Sequence, residues 1–222
     1  MQFKIKVCGV KSVDDALMVV DAGADAIGLN FYRGSKRCIH AEAAREIVDV
    51  IGPRATCVGV FVNAAADEIR AICETAGLSW IQLHGDEPPE LIRSIGSGYQ
   101  IIRACRLDAR GPQAIADDAA ACREVAGFLP AAVLVDAAAA GQYGGTGHTV
   151  DWQLVAGHPK WLGGTSLILA GGLTPANVAE AIRVVRPHAV DVASGVESSP
   201  GVKDAVKVRD FVAAARAEFA AI

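Results

Sequence analysis

Lys4–Gly23 reads "KIKVCGVKSVDDALMVVDAG" and contains the repeating unit of the whole chain. Its first part, Lys4–Cys8, alternates apolar and polar residues with the period of a β-strand, then breaks at Gly9. Ser12 and Asp15 follow at capping-box spacing. Val13, Ala16, Leu17 and Val20 then recur at i, i+3, i+4 and i+7, the stripe of an amphipathic helix, and Gly23 ends it. A strand that closes on a thiol raises a question of its own. Buried cysteine usually behaves as a small hydrophobe, yet strand ends are where α/β proteins place their chemistry.

The same alternation continues outward from that stretch. "FKIKVCG", "DAIGLNF", "ATCVGVFV", "SWIQLHG", "YQIIRAC", "AAVLVDA", "SLILAGG" and "AVDVASG" are strand candidates, each followed by a turn and a helix-like segment. Thr174 and Pro175 stand as N-cap and first residue of the seventh helix. Eight such units in 222 residues predict a (β/α)8 TIM barrel, a fold that typically takes about 250 and can run near 200. An open doubly wound sheet is the competing arrangement, and the count of eight favours the barrel. Nothing resembles a linker or a low-complexity tract, so residues 1–222 are read as a single domain.

Composition narrows the function classes. A hydrophobic content of 52% with 5% aromatics fits a core of Ala, Val, Ile and Leu. A net charge of −4 gives no general attraction to nucleic acid or to an anionic membrane, which leaves a small molecule as the expected partner. Six cysteines, Cys8, Cys38, Cys57, Cys73, Cys105 and Cys122, form no CxxC pair and no zinc spacing. The N-terminus lacks a signal-peptide pattern and no apolar run reaches a membrane span. The expectation is a reduced, cytoplasmic protein without metal or cofactor. Nothing in the sequence separates a monomer from a homodimer.

In a (β/α)8 barrel the chemistry lies at the carboxyl ends of the strands. Those positions are Cys8, Asn30, Asn63, His84, Cys105, Asp136, Ala170 and Ser194. Gly171 and Gly172 follow strand seven, and Ser194 and Gly195 follow strand eight, the two places where this fold builds phosphate sites; tight turns alone would also favour glycine there. "RGSKR", Arg33–Arg37, is either a solvated loop or a carboxylate clamp. Asp136 ends a very apolar run, where desolvation tends to keep a carboxyl protonated; the structural alternative is an Asp bonded to loop N–H groups. Asp191, inside its strand, suits a supporting role. The segment 137–150, with Gly144, Gly145 and Gly147, is either a closing loop or a simple connection. Cys8 and Asp136, three strands apart in a ring of eight, would flank a small substrate as base and acid. Gly9 would leave room beside the thiol for that substrate and for a sharp turn. Cys57 and Cys73 read as packing, and Cys105 as more structural than chemical.

"VCGV", "GLNFYRGSKR", "GVFVN", "QLHGDEP", "LVDA…YGGTG…DW", "LAGGLTPANV" and "VDVASGVESSPGVKD" occur in one order across nearly the whole chain. Together they resemble the phosphoribosylanthranilate isomerase family. The resemblance implies an Amadori rearrangement of N-(5-phosphoribosyl)anthranilate in tryptophan biosynthesis. It implies Cys8 as general base and Asp136 as general acid, with Arg37 on the anthranilate carboxylate. Gly171, Gly172, Ser194 and Gly195 would bind phosphate, and His84 and Asp191 would join the substrate site. Ala193 departs from a serine and His148 from a lysine common in the family. Two alternatives stand beside it: a non-catalytic phosphometabolite-binding barrel, and another aminoaldose isomerase such as that of the histidine pathway. The latter would be expected to carry an aspartate where this chain has Cys8.

Overall fold

Each strand sends alternate side chains to opposite faces, and two separate apolar clusters record this. Ile5, Val7, Ile27, Leu29, Ile81, Leu83, Val133, Val135, Leu167, Leu169, Val190 and Val192 pack outward among helix residues such as Ile47, Ile69, Ile182 and Phe211. The alternate positions, Ala26, Val58, Trp80, Ile102, Leu134, Ile168 and Ala189, pack against one another with Phe3 on the inside. An inner phase that packs on itself, with no helix residue in the cluster, requires a sheet closed on itself.

The computed structural model describes residues 1–107, 110–127, 129–137 and 151–222. Its parallel strands β1 (Ile5–Cys8), β2 (Ala26–Asn30), β3 (Thr56–Phe61), β4 (Trp80–Leu83), β5 (Gln100–Leu107), β6 (Ala132–Ala137), β7 (Ser166–Leu169) and β8 (Ala189–Val192) form a closed barrel in chain order. β8 returns to β1 with Ile5 opposite Val190, Lys6 opposite Asp191 and Val7 opposite Val192. The helices are α1 (Val13–Asp21), α2 (Ala41–Ile51), α3 (Ala66–Ala76), α4 (Glu90–Ile95), α5 (Pro112–Ala126), α6 (Trp152–Val155), α7 (His158–Trp161), α8 (Val178–Val185) and α9 (Ala205–Ala221). The expected (β/α)8 architecture is the observed one. Segment 138–150, with Gly144, Gly145, Gly147 and His148, lies outside the described residues. Among the described residues no helix is long and apolar enough to cross a membrane.

Local signals vary in how well they act. Ser12 caps α1 as its spacing predicts, accepting from the Asp15 N–H. Thr174 does not cap the seventh unit. α8 begins only at Val178, and Asn177 ties the preceding turn by accepting from the Thr174 N–H and donating to the Gly172 carbonyl. A side chain able to satisfy two backbone groups at once displaces a single-acceptor cap. A short antiparallel pair not expected from sequence, β9 (Glu197–Ser199) with β10 (Val202–Lys203), also follows β8.

The inner end of the barrel towards the strand N-termini is plugged by Phe3 against Trp80, rings 5.5 Å apart in an edge-on arrangement. On the outer phase Arg103 replaces an apolar residue of β5. It donates to both Asp118 carboxylate oxygens on α5, to the Glu87 carbonyl and to the Glu87 carboxylate. Glu87 in turn accepts from the backbone N–H groups of Asn63 and Gly85, so one buried cation fixes the turns after β3 and β4. Arg103→Met leaves the Glu87 carboxylate buried without its cation. Its unfolding free energy, measured by urea denaturation, is expected to fall by about 3–5 kcal/mol; a change within ~0.5 kcal/mol would show the network to be dispensable.

Candidate active site

The inner phase changes chemistry along the barrel axis. Past the apolar plug it carries Lys6 and Cys8 on β1, Asn30 on β2, Gln82 on β4, Asp136 on β6 and Asp191 on β8. His84, just beyond β4, continues the same phase. A pocket of about 690 Å3, open to solvent, forms over them at the strand C-termini. Cys8, Arg37, His84, Asp136, Gly171, Gly172, Asp191, Ser194 and Gly195, every residue singled out for the site, line it. Ala193 lines it too.

Two of the eight strand-end positions are not in the pocket lining, for the same reason. On β5 the inner phase falls on Ile102 and Ala104, so Cys105 points outward and its thiol faces Asp118 on α5 at 3.7 Å. After β3 the inner phase falls on Val60 and Val62, which line the pocket, while Asn63 turns to the Glu87 network. Burial pushes the Cys105 thiol far up. The structural reading of this cysteine holds. Cys57 packs against the outer cluster and Cys73 is buried within it, as packing residues.

Cys8 is only 8% exposed. Burial drives its thiol above the ordinary value, and the positive charges of Lys6, Lys203 and Arg37 oppose that rise without cancelling it. The geometry therefore favours the neutral thiol in the unliganded chain, against the displacement that a resting thiolate base requires. On the opposite wall His84 Nε2 lies 3.4 Å from Asp136 Oδ2. His84 Nδ1 is 2.6 Å from the Nε2 of fully buried Gln82, which orients the ring towards Asp136.

Arg37 reaches the pocket from the β2–α2 connection and is held from behind. Its Nε and Nη2 donate to the two carboxylate oxygens of Glu197 at 2.8 and 2.7 Å. Glu197 also accepts from Lys203 Nζ at 2.9 Å and from the Gly201 N–H at 3.1 Å. This bidentate clamp leaves the guanidinium's remaining donors for a ligand. The solvated-loop alternative for Arg37 fails, since its side chain is 17% exposed. Gly9 makes the expected sharp turn and leaves the room that Arg37 fills. It turns at φ +79°, and an added Cβ would meet Arg37 Cδ at 2.4 Å.

The two glycine loops touch each other. A Cβ on Gly195 would stand 1.9 Å from the Leu173 carbonyl oxygen, so only glycine lets the loop after β8 close on the loop after β7. The result is a shared rim of backbone groups from Gly171, Gly172, Ser194 and Gly195, the kind of surface that receives an anion. Sequence reasoning missed Lys6, Gln82, Glu197 and Lys203. Lys6 and Gln82 were accessible to it: each sits two residues before a named site residue, on the same strand face. Glu197 and Lys203 were not, because their partner Arg37 lies some 160 residues away in sequence.

Glu197 carries a pH signature. Burial raises its carboxyl, but hydrogen bonds from Arg37 and Lys203 outweigh this and leave it below the ordinary value. Its partner Lys203 is also pulled down, by burial that Glu197 only partly offsets, so the favourable part of the cluster is the Arg37 pair. A depressed carboxyl stabilises the fold above its unfolded value of about 4.3 and loses that contribution as pH falls through the folded value. Acid unfolding followed by circular dichroism should therefore be less steep below about pH 4.3 in Glu197→Gln, which is also less stable at pH 7. Identical acid profiles would count against the clamp.

A family model described as N-(5'phosphoribosyl)anthranilate (PRA) isomerase matches residues 5–214. The N-(5'-phosphoribosyl)anthranilate isomerase of Myxococcus xanthus is 47% identical over 217 residues, 97% of each chain. The crystal structure of phosphoribosyl anthranilate isomerase from Thermotoga maritima superposes with a TM-score of 0.84 at 38% identity, covering 97% of this chain and 99% of that one. A phosphoribosyl anthranilate isomerase in complex with reduced 1-(o-carboxyphenylamino)-1-deoxyribulose 5-phosphate superposes with a TM-score of 0.80 at 36% identity, covering 97% and 99%.

Proposed function

The chain belongs to the N-(5'-phosphoribosyl)anthranilate isomerase family, and on that premise we propose that it converts N-(5-phosphoribosyl)anthranilate into 1-(2-carboxyphenylamino)-1-deoxyribulose 5-phosphate with Cys8 as general base and Asp136 as general acid. It is an isomerase of tryptophan biosynthesis. One observation carries the assignment of roles: a thiol on β1 and a carboxyl on β6 share the inner phase and line one pocket, with Arg37 and two glycine loops along its rim. That pocket supplies a site for a carboxylate and another for a phosphate, with an acid and a base between them. A relative of the same fold is solved with a reduced form of the product.

The reaction follows from those positions. Asp136 gives its proton to the ribose ring oxygen as the C1′–O bond breaks, and the anthranilate nitrogen's lone pair completes an iminium at C1′. The cation acidifies the C2′ hydrogen, which passes to the Cys8 sulfur. The electron pair left behind neutralises the iminium, and the resulting enolamine tautomerises to the ketone. His84, its Nε2 3.4 Å from Asp136 Oδ2, stands beside the acid on this path. Arg37, braced by Glu197, holds the carboxylate, while the N–H groups of the two glycine loops hold the phosphate, away from the reacting carbons. Asp191 borders the sugar. The ligand is a phosphorylated small molecule, and the chemistry asks for no metal or redox cofactor. Residues 1–222 act as a single domain in this reading, and every residue given a role in it belongs to one chain.

The pH dependence has a defined sign. Activity needs Cys8 without its proton and Asp136 with one, the reverse of their ordinary order. The population of that form is constant between the two midpoints and falls outside them, which gives a bell with a broad top. Because burial raises the Cys8 thiol, the alkaline limb of kcat/KM should lie above the ordinary thiol value of about 8.5. Cys8→Ala and Asp136→Asn should each lower kcat by ~10²–10⁴-fold, read from the loss of substrate fluorescence, while the reduced product analogue still binds. Unchanged turnover in Cys8→Ala would remove the base assignment, and undetectable turnover in the wild-type chain would favour a binding barrel.

A further inference from the structure

Lys6 is among the largest fully buried side chains of the described residues, at 0% exposure. It lies on the inner phase of β1, directly below Cys8, with its cross-strand neighbour Asp191 on β8. Its ammonium donates to Asp191 Oδ1 at 2.8 Å, and its positive charge bears on the Cys8 thiol two residues along the same strand face. A buried lysine is expensive to desolvate, and an ion pair in such a place is often no more stabilising than packed apolar residues. Barrel interiors are ordinarily filled by branched aliphatic side chains. The position therefore gains little for the fold, and what it borders is the pocket floor, since both Cys8 and Asp191 line the pocket.

We propose that Lys6 is a positioning residue for the isomerase reaction, the fixed cation that makes the Cys8 thiolate accessible, and that Asp191 sets how much of its charge Cys8 receives. The inference rests on the functional reading above and deepens it. The charged groups that face Cys8 are Lys6 on its own strand, Asp191 on β8, Lys203 on β10 and Arg37 on the β2–α2 connection. Arg37 and Lys203 share the Glu197 carboxylate. Lys6 shares Asp191. Among the three cations Lys6 is the strongest counterweight to burial of the thiol, and Asp191 works against it. When the thiolate forms, its proton leaves through the open pocket, and the Lys6 ammonium remains as its counter-ion. A ligand hydroxyl that donates to Asp191 would disperse the carboxylate's charge and shift Lys6 towards sulfur.

Alkylation of Cys8 by iodoacetamide, followed against pH by peptide mass spectrometry, reads its thiolate directly and without turnover. Asp191→Asn keeps Lys6 and removes its competitor, so the alkylation midpoint should fall by about one unit or more relative to wild type. Lys6→Met/Asp191→Asn removes both charges together and leaves no unpaired ion in the core. Its midpoint should lie about one unit or more above that of Asp191→Asn, the difference being Lys6 alone. Each unit upward should also cost about tenfold in the flat part of kcat/KM. Equal midpoints in the two variants would overturn the role of Lys6. Should the double variant fail to fold, an unchanged midpoint in Asp191→Asn against wild type overturns it instead. Neither result bears on whether the chain is an isomerase, which Cys8→Ala turnover decides separately.

Discussion

Closure of the barrel at the β1–β8 seam is the constraint on which everything else rests. The two strands are first and last in the chain, and their register places Lys6 opposite Asp191 and Val7 opposite Val192. Strand pairing has a strict period of two, so a slip of one residue would exchange the faces of every side chain on β8. Val190 and Val192 would enter the barrel, and Asp191 would be driven into the aliphatic layer beneath α9. The outer cluster opposes that slip through burial of apolar area, and the Lys6–Asp191 ion pair opposes it through the cost of parting two buried charges. The seam is thus specified from both faces.

That closure decides which residues can act. Once the inner phase is fixed, the side chains at the strand C-termini have one place to go. The acid and base candidates meet there although Cys8 and Asp136 stand far apart in sequence. The same logic explains a division of labour along the axis. Apolar residues near the strand N-termini, with Phe3 and Trp80 at the bottom, fill the barrel and hold its diameter. Polar residues nearer the C-termini border the pocket. Stability and chemistry occupy different layers of one interior, as is general for this architecture.

The eight barrel strands, the fold and the pocket residues are legible because each depends on local patterns: period two in the strands, period 3.6 in α1, glycines at the turns. Reading failed where a longer-range interaction outweighed a local one. Thr174 lost its cap to the two-sided bonding of Asn177. Asn63 and Cys105 were grouped with the pocket by their place at strand ends, when their odd phase turns them outward. Arg37 lines the pocket as its place in the sequence suggests, but its brace is invisible there, since Glu197 belongs to a hairpin that no pattern announces. The ionisation of Cys8 was the hardest part to read. A sequence shows neither the burial that raises a thiol nor the distances of the charges that lower it.

Charge around the pocket also reconciles a negative protein with an anionic ligand. The chain as a whole carries −4, which by itself would repel a phosphorylated carboxylate. Long-range repulsion is screened within about 8–10 Å at ordinary ionic strength, so the ligand responds to the groups lining its site. Arg37 and Asp191 line it, and behind them Lys6 balances Asp191 while Lys203 shares with Arg37 the single carboxylate of Glu197. One positive charge is left over on that side of the pocket, within a partly desolvated wall where it is screened least. A second carboxylate there would cancel it, and removal of Glu197 would leave two like charges pressed together in the core. The observed ratio of two cations to one anion is the smallest set that both holds itself together and still attracts an anion.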